Sequence, residues 1–298
     1  MHRSDVYRFE KVAEGVWAAI PLAGSSAMSN SGIVDLGRAC LVFDTSQTPR
    51  AAKDLRVAAR ILSGKEPLEV ANSHWHFDHT LGNRVFGGCT IRSTRRTHDL
   101  LVARGSSIPA AVSDPSWSQG TAQLARRALE EQRPLERQEL EEEAAARRDL
   151  SDARDLVNLR PPDEFFTDRF VYPGGNDVML VEGAGHSESD SILFVPDSEV
   201  YFAGDLVTVG SHPSLGSSDV DRWLTALARM EESAPRKIVP GHGPVTTVDA
   251  CRETAAYLRS VRALAQGPGT PEMPTEYASW ARPSRFRANI ESLRARLG

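Results

Sequence analysis

Nine consecutive residues, Asn72-Ser73-His74-Trp75-His76-Phe77-Asp78-His79-Thr80, constrain this chain more than any other stretch. They place three imidazoles and a carboxylate within six positions of a chain that holds 8 histidines in 298 residues. The run Leu68-Glu69-Val70-Ala71-Asn72 reads as a strand that ends directly at the cluster. His74 and His76 lie two apart on chain that should still be extended, so their rings point the same way and can share one metal ion. Asp78 and His79 fall where the chain should turn into a helix, aimed at a neighbouring point. The spacing is not His-Glu-x-x-His, whose ligands stand one helical turn apart. A capping Asp and surface histidines would need no metal, but such crowding of imidazoles favours ligation.

Three more donors follow strand-like runs. His186 sits in Gly185-His186-Ser187 after Val178–Val181, and Asp205 in Gly204-Asp205 after Val200–Ala203. His242 sits in Pro240-Gly241-His242-Gly243 after Ile238-Val239. Each adjoins a glycine, where the backbone can bend and release a side chain into a shared pocket. With the first cluster these residues supply seven nitrogen and oxygen donors, enough for two divalent ions with open positions. Imidazole and carboxylate without thiolate suit Zn²⁺, and also Fe or Mn. Two cations sharing a water would lower its pKa from about 15.7 to about 7, which makes hydroxide available for attack on a carbonyl.

The ordered set His74-x-His76-x-Asp78-His79, then His186, Asp205 and His242, resembles the metallo-β-lactamase superfamily over residues 10–265. The resemblance implies an α/β fold, a four-layer αββα sandwich of two mixed β-sheets flanked by helices, with the metals in a cleft at one sheet edge. It assigns His74, His76 and His186 to one ion, Asp78, His79 and His242 to the other, and Asp205 to both. Asp44, after Leu41-Val42-Phe43, falls where such proteins often carry an acid behind the ligands, although it reads equally as a turn residue. Asp78 is the candidate catalytic residue, able to hydrogen-bond the attacking hydroxide and carry a proton to the leaving group. A bridging Asp is typical of the glyoxalase II-like and lactonase-like branches, which implies hydrolysis of a small ester, thioester or lactone. β-Lactam and phosphodiester hydrolysis are the alternatives. One departure is His186-Ser187-Glu188-Ser189-Asp190, where members often show a glycine shortly after the histidine.

The remaining sequence reads as one domain spanning the chain. Leu36-Gly37-Arg38 suggests a hairpin turn and Ala51–Leu62 a helix. Residues 117–155 read as a helical insert divided at Pro134, with Glu143 and Arg147 spaced for an ion pair. A helix over Val248–Ala265, capped by Thr247 and stopped at Gly267, precedes a helical extension at 268–298. Arg282, Arg285 and Arg287 read as a solvated helix face, His212 as a loop residue near the pocket, and Tyr277 and Trp280 as cleft-wall or homodimer candidates. Cys40, Cys89 and Cys251 are odd in number and scattered, and read as reduced buried thiols. Together with an N-terminus lacking an apolar export core, this places the protein in the cytoplasm. A charge of -5, from 35 basic against 40 acidic residues, excludes a nucleic-acid partner, and no apolar run reaches membrane-spanning length. The expected partner is a small-molecule substrate.

Overall fold

The computed structural model describes residues 3–174 and 177–297; His2, expected to be a frayed tail, lies outside them. The chain first lays down an antiparallel meander of β1 (Tyr7–Ala13), β2 (Val16–Pro21), β3 (Ser31–Asp35) and β4 (Cys40–Phe43). The expected hairpin turns between Asp35 and Cys40, which pair with each other. Helix α1 (Pro49–Ser63) then crosses to a parallel neighbour, as a parallel pairing requires. Its start is local chemistry: the Thr48 hydroxyl accepts the Ala51 N–H at 3.2 Å, and Pro49 opens the first turn. β5 (Pro67–Ala71), β6 (Thr90–Thr94) and β7 (Glu164–Phe166) complete a seven-stranded mixed sheet in sequence order.

The second sheet holds β8 (Arg169–Val171), β9 (Met179–Glu182), β10 (Ser191–Val195), β11 (Val200–Thr208) and β12 (Lys237–His242). Its order is β12-β11-β10-β9-β8, and only β11 and β12 pair in parallel, joined by α7 (Val220–Glu232). Helices α8 (Asp249–Gln266) and α9 (Ser284–Leu297) follow. Gly267 ends α8 as expected, but Thr247 does not cap it: Val248 holds that position, and the Thr247 hydroxyl instead meets the Asp249 carboxylate at 3.3 Å.

Strand parity sorts the side chains into layers. Val34, Leu41 and Phe43 point between the sheets, where they join Leu180, Leu193 and Phe202. Their neighbours Ile33 and Val42 point outward and pack with Leu55, Ala58 and Ala59 of α1. On the far side Trp223 and Leu227 of α7, with Tyr257, Leu258 and Val261 of α8, cover Ile238. All are essentially fully buried, each large apolar side chain contributing about 1.5–3 kcal/mol relative to exposure. The result is the expected four-layer αββα sandwich of two mixed β-sheets.

Between β6 and β7 the chain forms α3 (Arg95–Arg104), α4 (Ser107–Ser113), α5 (Pro115–Glu130) and α6 (Pro134–Asp152). The helical stretch divides at Pro134. Arg147 lies 3.7 Å from Glu143 and also sits 4.0 Å over the Trp117 ring, so it is pinned from two sides. Val112, Leu150 and Val157 bury against Leu81, with Phe77 and Trp117 alongside. The helices therefore dock directly on the segment that carries the histidine cluster. Among the described residues no helix is long and apolar enough to cross a membrane.

Candidate metal centre

All seven expected donors converge in two adjoining groups, built from the ends of β5 and β12, the loop before β10, and a bulge in β11. In the first, His74 Nε2 lies 2.9 Å from His76 Nδ1, which lies 3.0 Å from His186 Nε2. Asp205 Oδ2 is 3.4 Å from His186 Nε2. In the second, His242 Nε2 lies 3.4 Å from Asp78 Oδ2, and His79 Nε2 lies 3.7 Å from that same oxygen. The other oxygen of Asp205, Oδ1, faces this group, 3.1 Å from His79 Nε2 and 3.3 Å from His242 Nε2. One carboxylate thus addresses both groups, an oxygen to each.

Asp205 reaches this position because β11 does not end at Ala203. It runs on to Thr208 past a register shift at Gly204, and such a bulge re-aims the side chain that follows it. The approach is close: a Cβ on Gly241 would lie 2.0 Å from Asp205 Oδ1. Gly185, with φ 142°, brings His186 in beside α7, where a Cβ would meet Trp223 Cα at 2.2 Å.

Donor chemistry and burial fit divalent ions. Two nitrogens bound tetrahedrally at about 2.0–2.1 Å stand about 3.3 Å apart, near the spacings seen here. Asp205 Oδ1, His79 Nε2 and His242 Nε2 are buried and, among the described residues, have no well-aligned hydrogen-bond partner, although Asp205 Oδ1 stands 3.1 Å from the first nitrogen and 3.3 Å from the second. Buried polar atoms left so are rare without a ligand or catalytic duty. In each group the candidate ligand atoms lie within 4.8 Å of one another, His74, His76, His186 and Asp205 in one and Asp78, His79 and His242 in the other, so either could hold an ion.

A family model described as the metallo-beta-lactamase superfamily matches residues 26–88 and 119–242, a span that contains all seven donors. The chain belongs to the metallo-β-lactamase superfamily. Its fold is shared by DIM-1 metallo-β-lactamase, in a structure exposed to ceftazidime, at 17% identity and TM-score 0.59 over 86% of this chain and 99% of that one. TMB-1 matches at 15% identity and TM-score 0.61, over 86% and 99%. A metallo-β-lactamase from Hirschia baltica matches at 15% and 0.61, over 85% and 98%. Superfamily membership and the His/Asp cluster together mark a metal-dependent hydrolase.

The electrostatics of this metallo-β-lactamase-fold site divide between the two groups. Burial holds His74, His76 and His186 below the usual imidazole range, His186 at about 3, so these rings stay neutral and ready to coordinate. Burial also disfavours charge on His79 and His242. There Asp205 and Asp78 outweigh it, with Asp44 also acting on His79, and hold both pKa values above the ordinary one. Burial would likewise raise Asp78 and Asp205, but the histidines around them keep both carboxyls well below their usual range.

Supporting groups fix the ring tautomers. His79 Nδ1–H donates to Asp44 Oδ2 at 2.8 Å, leaving Nε2 for the metal side. Ser73 accepts from His74 Nδ1–H at 2.9 Å and passes its own hydroxyl proton toward Asp44 Oδ2 at 2.7 Å. Asp44 therefore stands behind both groups, deciding between its two sequence readings in favour of support. His76 Nε2–H faces the Ser217 hydroxyl at 3.3 Å, which leaves Nδ1 as its free donor. Asp190 accepts the Ser187 N–H and hydroxyl and so braces the His186 loop that lacks the family's glycine. Ser73, Ser217 and Asp190 were not singled out in the sequence. Only Asp190 carried a cue, as an acid four residues after a ligand.

Three expectations about the surroundings change. His212 does lie in a loop, but its ring is not exposed to a pocket: it is fully buried among Tyr257, Trp280 and Phe286, with Nδ1 2.9 Å from the Tyr257 hydroxyl. Tyr277 is buried in the same aromatic group, against Tyr257 and Trp280, because α8 and α9 close over it. Arg282 and Arg285 are half-buried, and Arg287 alone of the three is fully exposed. Trp75 lies at the rim, its Nε1 3.2 Å from Glu188 and its ring 4.1 Å under the Arg104 guanidinium.

Proposed function

We propose that this chain is a binuclear hydrolase acting on a small-molecule ester, thioester or lactone, with zinc as the first choice of metal. The observation that carries the reading is Asp205, whose two carboxylate oxygens face two separate histidine groups at 3.1–3.4 Å. His74, His76 and His186 would hold one ion, Asp78, His79 and His242 the other, and Asp205 would lie between them. Five imidazoles and two carboxylates, with the three cysteines free and buried elsewhere, suit zinc. Those unpaired thiols also suit a cytoplasmic location. Ions so held supply Lewis acidity and lower the pKa of a shared water.

The chain's own groups divide the remaining tasks. Asp44 holds His79 directly, and His74 through Ser73, in the tautomers that present Nε2. Asp205 and Asp44 are sealed at 4% and 1% side-chain exposure, whereas Asp78 is 19% exposed and reaches solvent. Asp78 is thus the carboxylate able to take a proton from the attacking water and release it to the leaving group. Its main-chain carbonyl accepts the Ser29 hydroxyl at 2.5 Å, which fixes its one-turn helix α2 (Phe77–Thr80) for that role.

The test is a hydrolysis panel of thioesters, lactones, aryl esters and a chromogenic cephalosporin on the metal-loaded protein. The expected result is turnover of one acyl class at least ~100-fold above the cephalosporin, a difference of about 2.7 kcal/mol in transition-state stabilisation. Preference for the cephalosporin, or inactivity across the acyl panel, would contradict the proposal.

A further inference from the structure

The match to the family model ends at residue 242, so α9 and the segment leading to it lie outside it. That segment nevertheless holds a loop that reaches the first donor group. Residues 210–218, between β11 and α7, make little structure of their own. Among the described residues, the only hydrogen bonds within this loop run from the Ser218 N–H and hydroxyl to the Leu215 carbonyl, at 3.4 and 3.1 Å.

The bonds that fix the loop come chiefly from the C-terminal segment. The Ala281 N–H donates to the Gly210 carbonyl at 2.8 Å, and the Ala281 carbonyl accepts the His212 N–H at 3.0 Å, so that Ser211 and Ala281 pair as in a parallel sheet. Asn289, 2% exposed, grips the loop with both ends of its amide. Its Oδ1 accepts the Leu215 N–H at 2.9 Å, and its Nδ2 donates to the Pro213 carbonyl at 2.8 Å. Two turns further along α9, Arg296 donates from its two terminal nitrogens to the Leu215 and Ser218 carbonyls.

The loop so held meets the first donor group at two points. Ser217 Oγ lies 3.3 Å from His76 Nε2, on the far side of the ring from the nitrogen that faces His186. The Asp219 N–H donates to the Gly185 carbonyl at 2.8 Å, which steadies the peptide that carries His186. None of these bonds goes to Asp78, His79 or His242. A partner on the outer nitrogen of a ligating imidazole fixes the orientation of the ring, and its loss typically costs ~10–100-fold in metal affinity.

We propose that α9 is a positioning element of the first metal group, acting from Asn289 and Arg296 through the 210–218 loop to seat Ser217 on His76. These three are positioning residues, not catalytic ones. The proposal rests on the donor assignment of His74, His76, His186 and Asp205 and is independent of the substrate.

The experiment is a zinc titration against a competing chelator in a His242→Ala background, which disables the other group and leaves one ion to follow. Ser217→Ala should weaken zinc binding at least ~10-fold, and Ser217→Thr, which keeps the hydroxyl, should restore most of it. Asn289→Ala should weaken binding to a similar extent. The double variant decides the route: its loss should match that of the larger single change, because both residues act on the same ring. A merely structural role for α9 would make the two losses multiply, and thermal melting of the metal-free proteins records general destabilisation separately. Parental zinc affinity in Ser217→Ala, or multiplied losses in the double variant, overturns the proposal. A His242→Ala parent that binds no zinc would overturn the donor assignment and this inference with it. Coupled losses in a protein that cleaves no acyl substrate would uphold the proposal and contradict only the hydrolase reading. Should Asn289→Ala not fold, Arg296→Gln, a change at an exposed residue, takes its place in the cycle.

Discussion

Asp44 Oδ2 lies 2.8 Å from His79 Nδ1, and the same oxygen accepts the Ser73 hydroxyl that orients His74. One buried carboxylate thereby sets the tautomer of a donor in each metal group. Its backbone is held at φ 59°, a conformation that asparagine tolerates. Asp44→Asn should therefore spare the turn but lose the charge and one acceptor. Affinity for both ions is expected to fall ~10–100-fold, the usual cost of removing such a partner. Chelator competition measures it, and unchanged affinity at either ion would show that Asp44 does not support that group.

Acidification should empty the two groups in order. His79 and His242 have raised pKa values, so an ion entering beside Asp78 must displace their protons. Affinity there falls as pH drops through those raised values, by about tenfold per pH unit for each proton displaced. His74, His76 and His186 are held below the ordinary imidazole value and have no proton to displace near neutrality. Metal content followed by dialysis from pH 8 to pH 5 should pass through a plateau near one ion per chain. Joint loss of both ions in one step would oppose this ordering.

Gly241→Ala tests the tight approach of β12 to Asp205. The added methyl would lie 2.0 Å from Asp205 Oδ1, so the carboxylate has to leave its position between the groups. Turnover is expected to drop at least ~100-fold, the scale seen when a reacting group is misplaced by about 1 Å. Kinetics on the best panel substrate, with circular dichroism as a folding control, check this. Wild-type turnover would mean that Asp205 is not needed where it stands.

Asp78→Asn separates proton transfer from metal binding. The first group does not include Asp78, so the ion at His74, His76 and His186 should remain. Loss of a general acid–base group costs ~10²–10⁴-fold in rate. A variant that keeps that ion and also keeps full kcat would remove the proton-carrying role.

Leu150 of α6, 1% exposed, buries against Leu81 and Val157 and ties the helical hairpin to the motif segment. Leu150→Ala should destabilise the protein by about 2–5 kcal/mol. Urea unfolding measures the loss, and a change below about 1 kcal/mol would show that the hairpin is not anchored there.

The donors were legible because ligand chemistry leaves residue types in the sequence that nothing else explains. His74, His76 and His79 crowd together, and His186, Asp205 and His242 each stand beside a glycine at a strand. The sandwich followed from the resemblance those residues carry, and strand parity at Ile33-Val34 and Leu41-Val42-Phe43 agrees with it. What could not be read depended on tertiary placement. Arg285 and Arg287 have the same chemistry, yet Arg285 is half-buried and Arg287 exposed, because they fall on different sides of α9. His212 vanished into an aromatic group assembled from α8, α9 and the loop that carries Trp280, none adjacent to it in sequence. β7 and β8 have three residues each, too few to show a period. Gly204 beside Asp205 was legible as a bend, but that β11 continues past it to Thr208 with a register shift depends on pairing with β12 and leaves no local pattern.

The most direct measurement is elemental analysis of the purified chain beside Asp205→Ala, both prepared without chelator. Close to two transition-metal ions per wild-type chain, predominantly zinc, and no more than one in the variant, is the outcome expected if one carboxylate serves both groups. Metal-free wild-type protein, or a variant that retains both ions, would contradict it.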